Sequence, residues 1–148
     1  MIKFKITTPE RILLSEEAES LTLPTEMGEI TILPNHIPIV ANLVAGEIRY
    51  KKNGQENFFA VSGGFIEIKE DGEIVVLADT AEFGEEIDVD RAEQAKEKAQ
   101  KLMSEAYKDE KVFADVAASL EKHLARLRVA RKHRSKTNIN LESGRLPE

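Results

Sequence analysis

Asp88 and Arg91 stand three residues apart at the head of a segment whose apolar residues repeat at helical spacing, and Lys122, Arg126 and Arg128 follow on a second such segment. An aspartate at a helix start caps it, its carboxylate accepting N–H bonds from the first turn. The third helical position then holds Arg91 rather than the Glu or Gln of a capping box, and a cation there opposes the helix dipole. Breaches of local rules of this kind often mark function. A guanidinium added to the positive end of a helix favours an anion such as a phosphate. If the chain reverses near Asp109, the returning helix brings roughly Leu127 opposite Arg91. Lys122, Arg126 and Arg128 then add their charge to the same end. The plainer alternative is that Asp88 only caps, Arg91 makes a surface pair and the basic run is a solvated face.

Other chemistry finds no support. The chain has no cysteine, which excludes disulfides and thiolate metal sites, and His36, His123 and His133 lack metal-ligand spacing. It carries no Gly-rich loop ending in Lys-Ser/Thr, no carboxylate pair placed to activate water and no Ser-His or Cys-His arrangement. The expectation is a regulatory or binding chain with no catalytic residue, no metal and no catalytic cofactor.

Two kinds of element must position these residues. Residues 1–86 form a succession of short alternating or β-branched runs punctuated by Gly, Pro and Asn, read as strands near 2–7, 19–23, 29–33, 37–43, 46–51, 57–61, 65–69 and 74–78. Asn53-Gly54 and Asp71-Gly72 mark tight hairpins, and Gly63 and Gly64 read as turn-formers. Eight to ten strands at this spacing make a β-sandwich or barrel. Residues 87–134 switch to helical grammar. Ala92, Ala95, Ala99, Leu102 and Ala106 line one face, and Phe113, Val116 or Ala117, Leu120, Leu124 and Leu127 line the next, so an antiparallel two-helix hairpin follows. Alanine supplies little to bury, about 0.8 kcal/mol per methyl against about 1.5–3 for leucine, so the hairpin docks weakly and suits either a stable pair or an element that opens. Residues 135–148 are polar and aperiodic and are expected to be disordered.

Charge separates the two parts. Seven basic and sixteen acidic residues fall before Asp88, fourteen and eleven from there on, within a net −6 for the 148 residues. Different partners for the two parts are implied. No run of about 18 apolar residues and no signal-like start are present, which suggests a soluble, unprocessed intracellular chain.

Four strings in order carry a family resemblance across residues 1–134: Gly28-Glu29 with Leu33-Pro34-Asn35-His36-Ile37-Pro38; Ser62-Gly63-Gly64; Val76-Leu77-Ala78-Asp79-Thr80-Ala81-Glu82; and Ile87-Asp88-Val89-Asp90-Arg91-Ala92. Together they resemble the epsilon subunit of bacterial F-type ATP synthases. The resemblance implies a rotor subunit of the central stalk, peripheral on the cytoplasmic face of the plasma membrane and attached to it only through the complex. Its sandwich would contact the gamma subunit and the c-subunit ring, with Glu29 and His36 at matching interface positions. In ATP-binding members the matching positions are Glu82, Ile87, Asp88, Arg91, Ala92, Lys122 and Arg126, with ATP a regulatory ligand. Lys122 stands where those relatives offer arginine, so the charge remains while the bidentate fork is lost. In an extended state the basic end of the second helix, with Arg128 and Arg131, would meet an acidic segment of the beta subunit and inhibit hydrolysis. Two other readings are a purely structural coupling subunit without nucleotide sensing and a basic-helix nucleic-acid module. The second is disfavoured by the acidic first domain and the lack of aromatics among the helix charges.

Overall fold

The computed structural model describes the backbone of residues 1–106 and 108–142 and the side chains of 1–105 and 108–136. Eight strands come first: β1 (Ile2–Thr7), β2 (Ile12–Ala18), β3 (Ser20–Thr25), β4 (Gly28–Ile32), β5 (Ile39–Lys52), β6 (Gln55–Ile68), β7 (Ile74–Ala78) and β8 (Ala81–Phe83). A single 3₁₀ turn (Gly84–Glu86) then leads to α1 (Val89–Ala106) and α2 (Glu110–Glu142). The strands join in the order β2-β1-β7-β6-β5-β3-β4, with β8 on β6. Among the described residues only β1 and β7 run parallel.

The two long strands make this sheet into a sandwich. Residues 63–68 of β6 pair with 39–44 of β5 and, from Gly64, with β7, whereas residues 55–61 pair with 46–52 and, over 59–61, with β8. Alternation fails at the junction: Phe59 and Val61 point inward at odd positions, Ile66 and Ile68 at even ones. On β5 the switch runs from Leu43 to Ile48 and Tyr50. The cause lies in Gly63 and Gly64, whose φ values of 130° and 138° are open to glycine alone in practice. At Gly64 a Cβ would lie 1.9 Å from the carbonyl oxygen of Leu77. The glycines therefore bend a strand from within; they do not turn the chain as expected, and the two strands read on each side of them are one. The same correction joins 37–43 with 46–51. The sequence reading passed over β2, an edge strand with an irregular burial pattern, and β8, which has three residues.

The hairpin turns behave differently from each other. Asn53 (φ 51°) and Gly54 (φ 73°) both use the left-handed region, but at Asp71-Gly72 only Gly72 does. Inside the sandwich Phe4, Tyr50, Phe59 and Phe83 form a line of ring contacts with centroid separations of 5.1, 5.5 and 4.5 Å. That line ends on β8, so the strand carrying Glu82 is anchored in the core.

The helices form the expected antiparallel pair, and α2 also lies along β5 and β6. Asp109 starts α2, its Oδ1 accepting N–H bonds from Lys111 and Val112 at 3.1 and 3.2 Å. Ala60, Ile87, Ala92, Leu127, Val129 and Ala130 are buried together, with Phe58 and Val89 against them. Packing loosens toward the helix turn, where Leu102 is 41% and Phe113 37% exposed. α2 runs to Glu142, so residues 135–142 are helical, correcting the expected disorder; 143–148 lie outside the described residues. With 33 residues α2 is about 50 Å long.

Candidate functional site

β8 and α2 bring Glu82, named by the family resemblance, and Arg126 together. Glu82 leaves β8 opposite Ala60 of β6, on the face that meets the hairpin. Arg126 grips it with two bonds, Nε to Oε2 at 2.6 Å and Nη2 to Oε1 at 3.3 Å. The arginine is 16% and the glutamate 32% exposed, so the pair is sheltered at one end and open at the other. The third nitrogen of the guanidinium, Nη1, donates to Nδ1 of His123 at 3.2 Å. His123 must accept there, which requires its neutral form with the proton on Nε2. Partial burial, then the charges of Arg126 and Lys122, push its pKa below the usual histidine value.

The remaining residues form a floor and a rim. Ile87 and Ala92 are buried between helix and sandwich. Asp88 is the cap the sequence suggested: its Oδ1 accepts the Arg91 N–H at 3.1 Å and its carbonyl accepts that of Ala92 at 2.9 Å. The Arg91 side chain is exposed and Lys122 half-buried, and neither makes an ion pair among the described residues. The fork of Arg126, the geometry best matched to a phosphate, is occupied by Glu82. An anion entering here must take that fork from the carboxylate or bind at the rim through Arg91 and Lys122.

The interface candidates lie elsewhere. Glu29 is 61% exposed and pairs with Arg49 at 3.3 Å. His36 donates from Nδ1 to the carbonyl of Ile37 at 2.7 Å beside Asn35, whose φ is 67°. His36 thus bonds the backbone of its own loop. Arg128 is exposed, and Arg131, 72% exposed, approaches Glu93 at 3.9 Å.

Two features escaped the sequence reading. Val40 (73% exposed), Val44 (37%), Phe65 (55%) and Leu77 (50%) share one outer face of the sandwich, with Met27 (94%) at its edge. Phe65 pairs with Leu77 and with Asn42, the residue between the two valines. The signal was there: in the run Ile39-Val40-Ala41 both strand faces are apolar, the pattern of a strand covered on both sides. The second feature is a set of bonds from the end of α2 to the sandwich, Lys132 to Glu47 at 2.6 Å and Lys136 to the carbonyl of Glu56 at 2.7 Å. No spacing rule links residues so far apart.

A sandwich with an apolar outer face, carrying a basic helical hairpin strapped along its side, defines a docking subunit built to work inside a larger assembly. Family models give that assembly its name: the ATP synthase delta/epsilon chain β-sandwich domain matches residues 1–84, and the delta/epsilon chain long α-helix domain matches 85–131. The chain belongs to the ATP synthase delta/epsilon family. It is 41% identical over 138 residues to the ATP synthase epsilon chain of Dehalococcoides mccartyi, covering 93% of this chain and 98% of that one. With the epsilon chain of Desulfitobacterium hafniense it shares 43% over 127 residues, 86% and 94% of the two chains. A chain in the structure of the Euglena gracilis mitochondrial ATP synthase, in its OSCP/F1/c-ring part, superposes with a TM-score of 0.73 at 25% identity, covering 84% of this chain and 78% of that one. By family, then, it is an epsilon-type subunit of an ATP synthase, itself a non-catalytic part of the complex. Among the described residues no helix is long and apolar enough to cross a membrane.

Proposed function

We propose that this chain is a central-stalk rotor subunit that joins the gamma subunit to the c-subunit ring and restrains ATP hydrolysis through a hairpin that senses ATP. The sandwich serves as the coupling, its apolar outer face meeting gamma and the loop around His36 meeting the ring. It sits peripherally at the cytoplasmic face of the bacterial membrane, held there by its partners, and takes part in proton-driven ATP synthesis. The hairpin is the brake. Docked along the sandwich it is inactive; extended, its basic end with Arg128 and Arg131 reaches an acidic segment of the beta subunit and stops hydrolysis.

One observation carries the sensor reading: the hairpin is fastened to β8 by a bidentate Glu82–Arg126 pair whose fork fits a phosphate equally well. ATP bound by Arg126, Lys122 and Arg91, against Ile87, Asp88 and Ala92, would bridge the same elements and hold them docked. At ten times its dissociation constant a ligand stabilises the binding state by about 1.4 kcal/mol, enough to move an evenly poised equilibrium to about ten to one. Falling ATP then releases the brake helix.

A second reading has its own support. Because Glu82 already occupies Arg126, the pair can act as a permanent clasp, leaving a coupling subunit without nucleotide sensing. Titrating ATP into the full chain while following the amides of Asp88, Arg91 and Arg126 separates the two. Saturable shifts that vanish in Arg126→Ala are expected for the sensor; no shift at millimolar ATP leaves the clasp.

A further inference from the structure

Beyond the Glu82–Arg126 seam, residues 131–136 of α2 and the β5–β6 hairpin border a shallow, open cleft of about 720 Å³. Its walls carry Arg49 and Lys51 from β5 and Arg131, Lys132 and Lys136 from α2, against one lining carboxylate, Glu56. So dense a set of cations on a chain of net charge −6 calls for a reason. We infer that this cleft is a binding site for a polyphosphate chain, separate from the Arg126 seam and bridging the hairpin to the sandwich.

The cations fall into two groups. Lys132 and Lys136 are held in place by bonds of 2.6 Å to Glu47 and 2.7 Å to the carbonyl of Glu56, and the Lys132 ammonium stands 5.0 Å from the centre of the Phe58 ring. Glu47 is nine-tenths buried; its Oε1 pairs with Lys132 and lies 4.0 Å from the Arg49 guanidinium, while its Oε2 has no hydrogen-bond partner among the described residues. Arg49 meets Glu29 and Glu56 at 3.3 and 3.7 Å, Lys51 meets Glu19 at 4.0 Å, and Arg131 meets Glu93 at 3.9 Å. Arg49 is 32% exposed and hydrogen-bonds Glu29, whereas Lys51 and Arg131 are 48% and 72% exposed, and pairs as long as theirs on such side chains are worth little and yield readily. Two fixed ammonium groups, the carboxylate-paired guanidinium of Arg49 and two adjustable cations on facing walls suit an anion with several charged groups in a row, since each charge-assisted bond to phosphate is short and strong. A ligand spanning both walls ties residues 131–136 of α2 to β5 and stabilises the docked hairpin.

The test is calorimetry and amide NMR on the full chain with tripolyphosphate, and in parallel with ATP, at constant ionic strength so that screening does not imitate binding. Saturable shifts at Lys51, Gly54 and Ser135 are expected. Lys51→Gln/Arg131→Gln, which removes only exposed, loosely paired cations, should weaken binding by roughly tenfold or more. Arg91→Gln/Lys122→Gln, which touches the proposed ATP seam but leaves the Glu82–Arg126 clasp in place, should leave it intact, which separates this site from that seam. Equal binding of both ligands identifies the phosphate chain of a nucleotide as a sufficient source; binding of tripolyphosphate alone identifies free polyphosphate. An unsaturable drift, shifts undiminished in the double variant, or a response to ATP with tripolyphosphate silent would overturn the site.

Discussion

Arg126 is the residue on which the hairpin's position turns, because its three nitrogens join Glu82 on one element and His123 on its own. Its partner His123 gives that junction a pH dependence. The charged groups facing the imidazole are Arg126 and Lys122 on α2 and Glu82 on β8, and only Glu82 favours protonation. Burial and the two cations hold the folded-state pKa below the ordinary 6.5. An unfolded or released chain therefore binds a proton first, so the stability from neutral His123 is complete above that ordinary value and declines as pH falls below it toward the folded pKa. A protonated ring also loses the lone pair that accepts from Arg126. Hairpin docking, followed by amide exchange in α2, should weaken from pH 7 to pH 5.5, and His123→Gln, whose amide oxygen can still accept, should flatten the dependence. An unchanged profile in that variant would assign the effect to other groups. Arg126 and Asp88 were legible in the sequence because capping and helical spacing are local rules, whereas Glu82 came from the family resemblance alone. That Arg126 is satisfied by Glu82 was not legible, since the pairing depends on how a strand and a helix meet across 44 residues.

At the scale of elements, the bend inside β6 decides how the sandwich closes. Gly64 combines φ 138° with a Cβ position 1.9 Å from a backbone oxygen, so neither backbone strain nor overlap can be relieved by a side chain moving away. Gly64→Ala should cost roughly 3 kcal/mol or more, seen as a fall in the denaturation midpoint of the sandwich, while Gly72→Ala, which meets nothing within 4 Å, should cost only the strain of its turn. Similar losses in the two variants would show that the bend is not constrained. This bend is also where strand prediction from the sequence went astray. Alternation is the signal for a strand, and a change of parity at two glycines imitates a turn between two strands. The helices were read more faithfully as far as residue 134 because their apolar period can be followed to about that point. α2 outran its expected end because Lys132 and Lys136 bond to the sandwich, supplying tertiary support that the polar stretch after Ser135 does not advertise.

The whole molecule divides its surface between an internal and an external task. The outer face of the 46–61 half of the long strands is covered by α2 through Phe58, Ala60 and Glu47, whereas that of the 39–44 and 63–68 half leaves Val40, Phe65 and, beside it on β7, Leu77 at least half exposed. Since the inward positions change parity at the glycines, one bend closes the core and also sets which residues face outward beyond it. A contiguous apolar patch on a chain that is 32% charged is costly to leave in water and implies a partner. Its aromatic centre, Phe65, has the character of an interface anchor. Phe65→Asp should leave the fold and the docked hairpin intact, because the side chain is already exposed, yet weaken binding to an isolated gamma subunit by at least about tenfold. Glu67→Lys, on the same strand face two residues away, serves as the control for a change of charge alone. If both variants bind gamma as the parent does while the hairpin stays docked, the apolar face serves another partner and gamma must be held elsewhere, with Glu29 on β4 and His36 in the loop after it the next candidates.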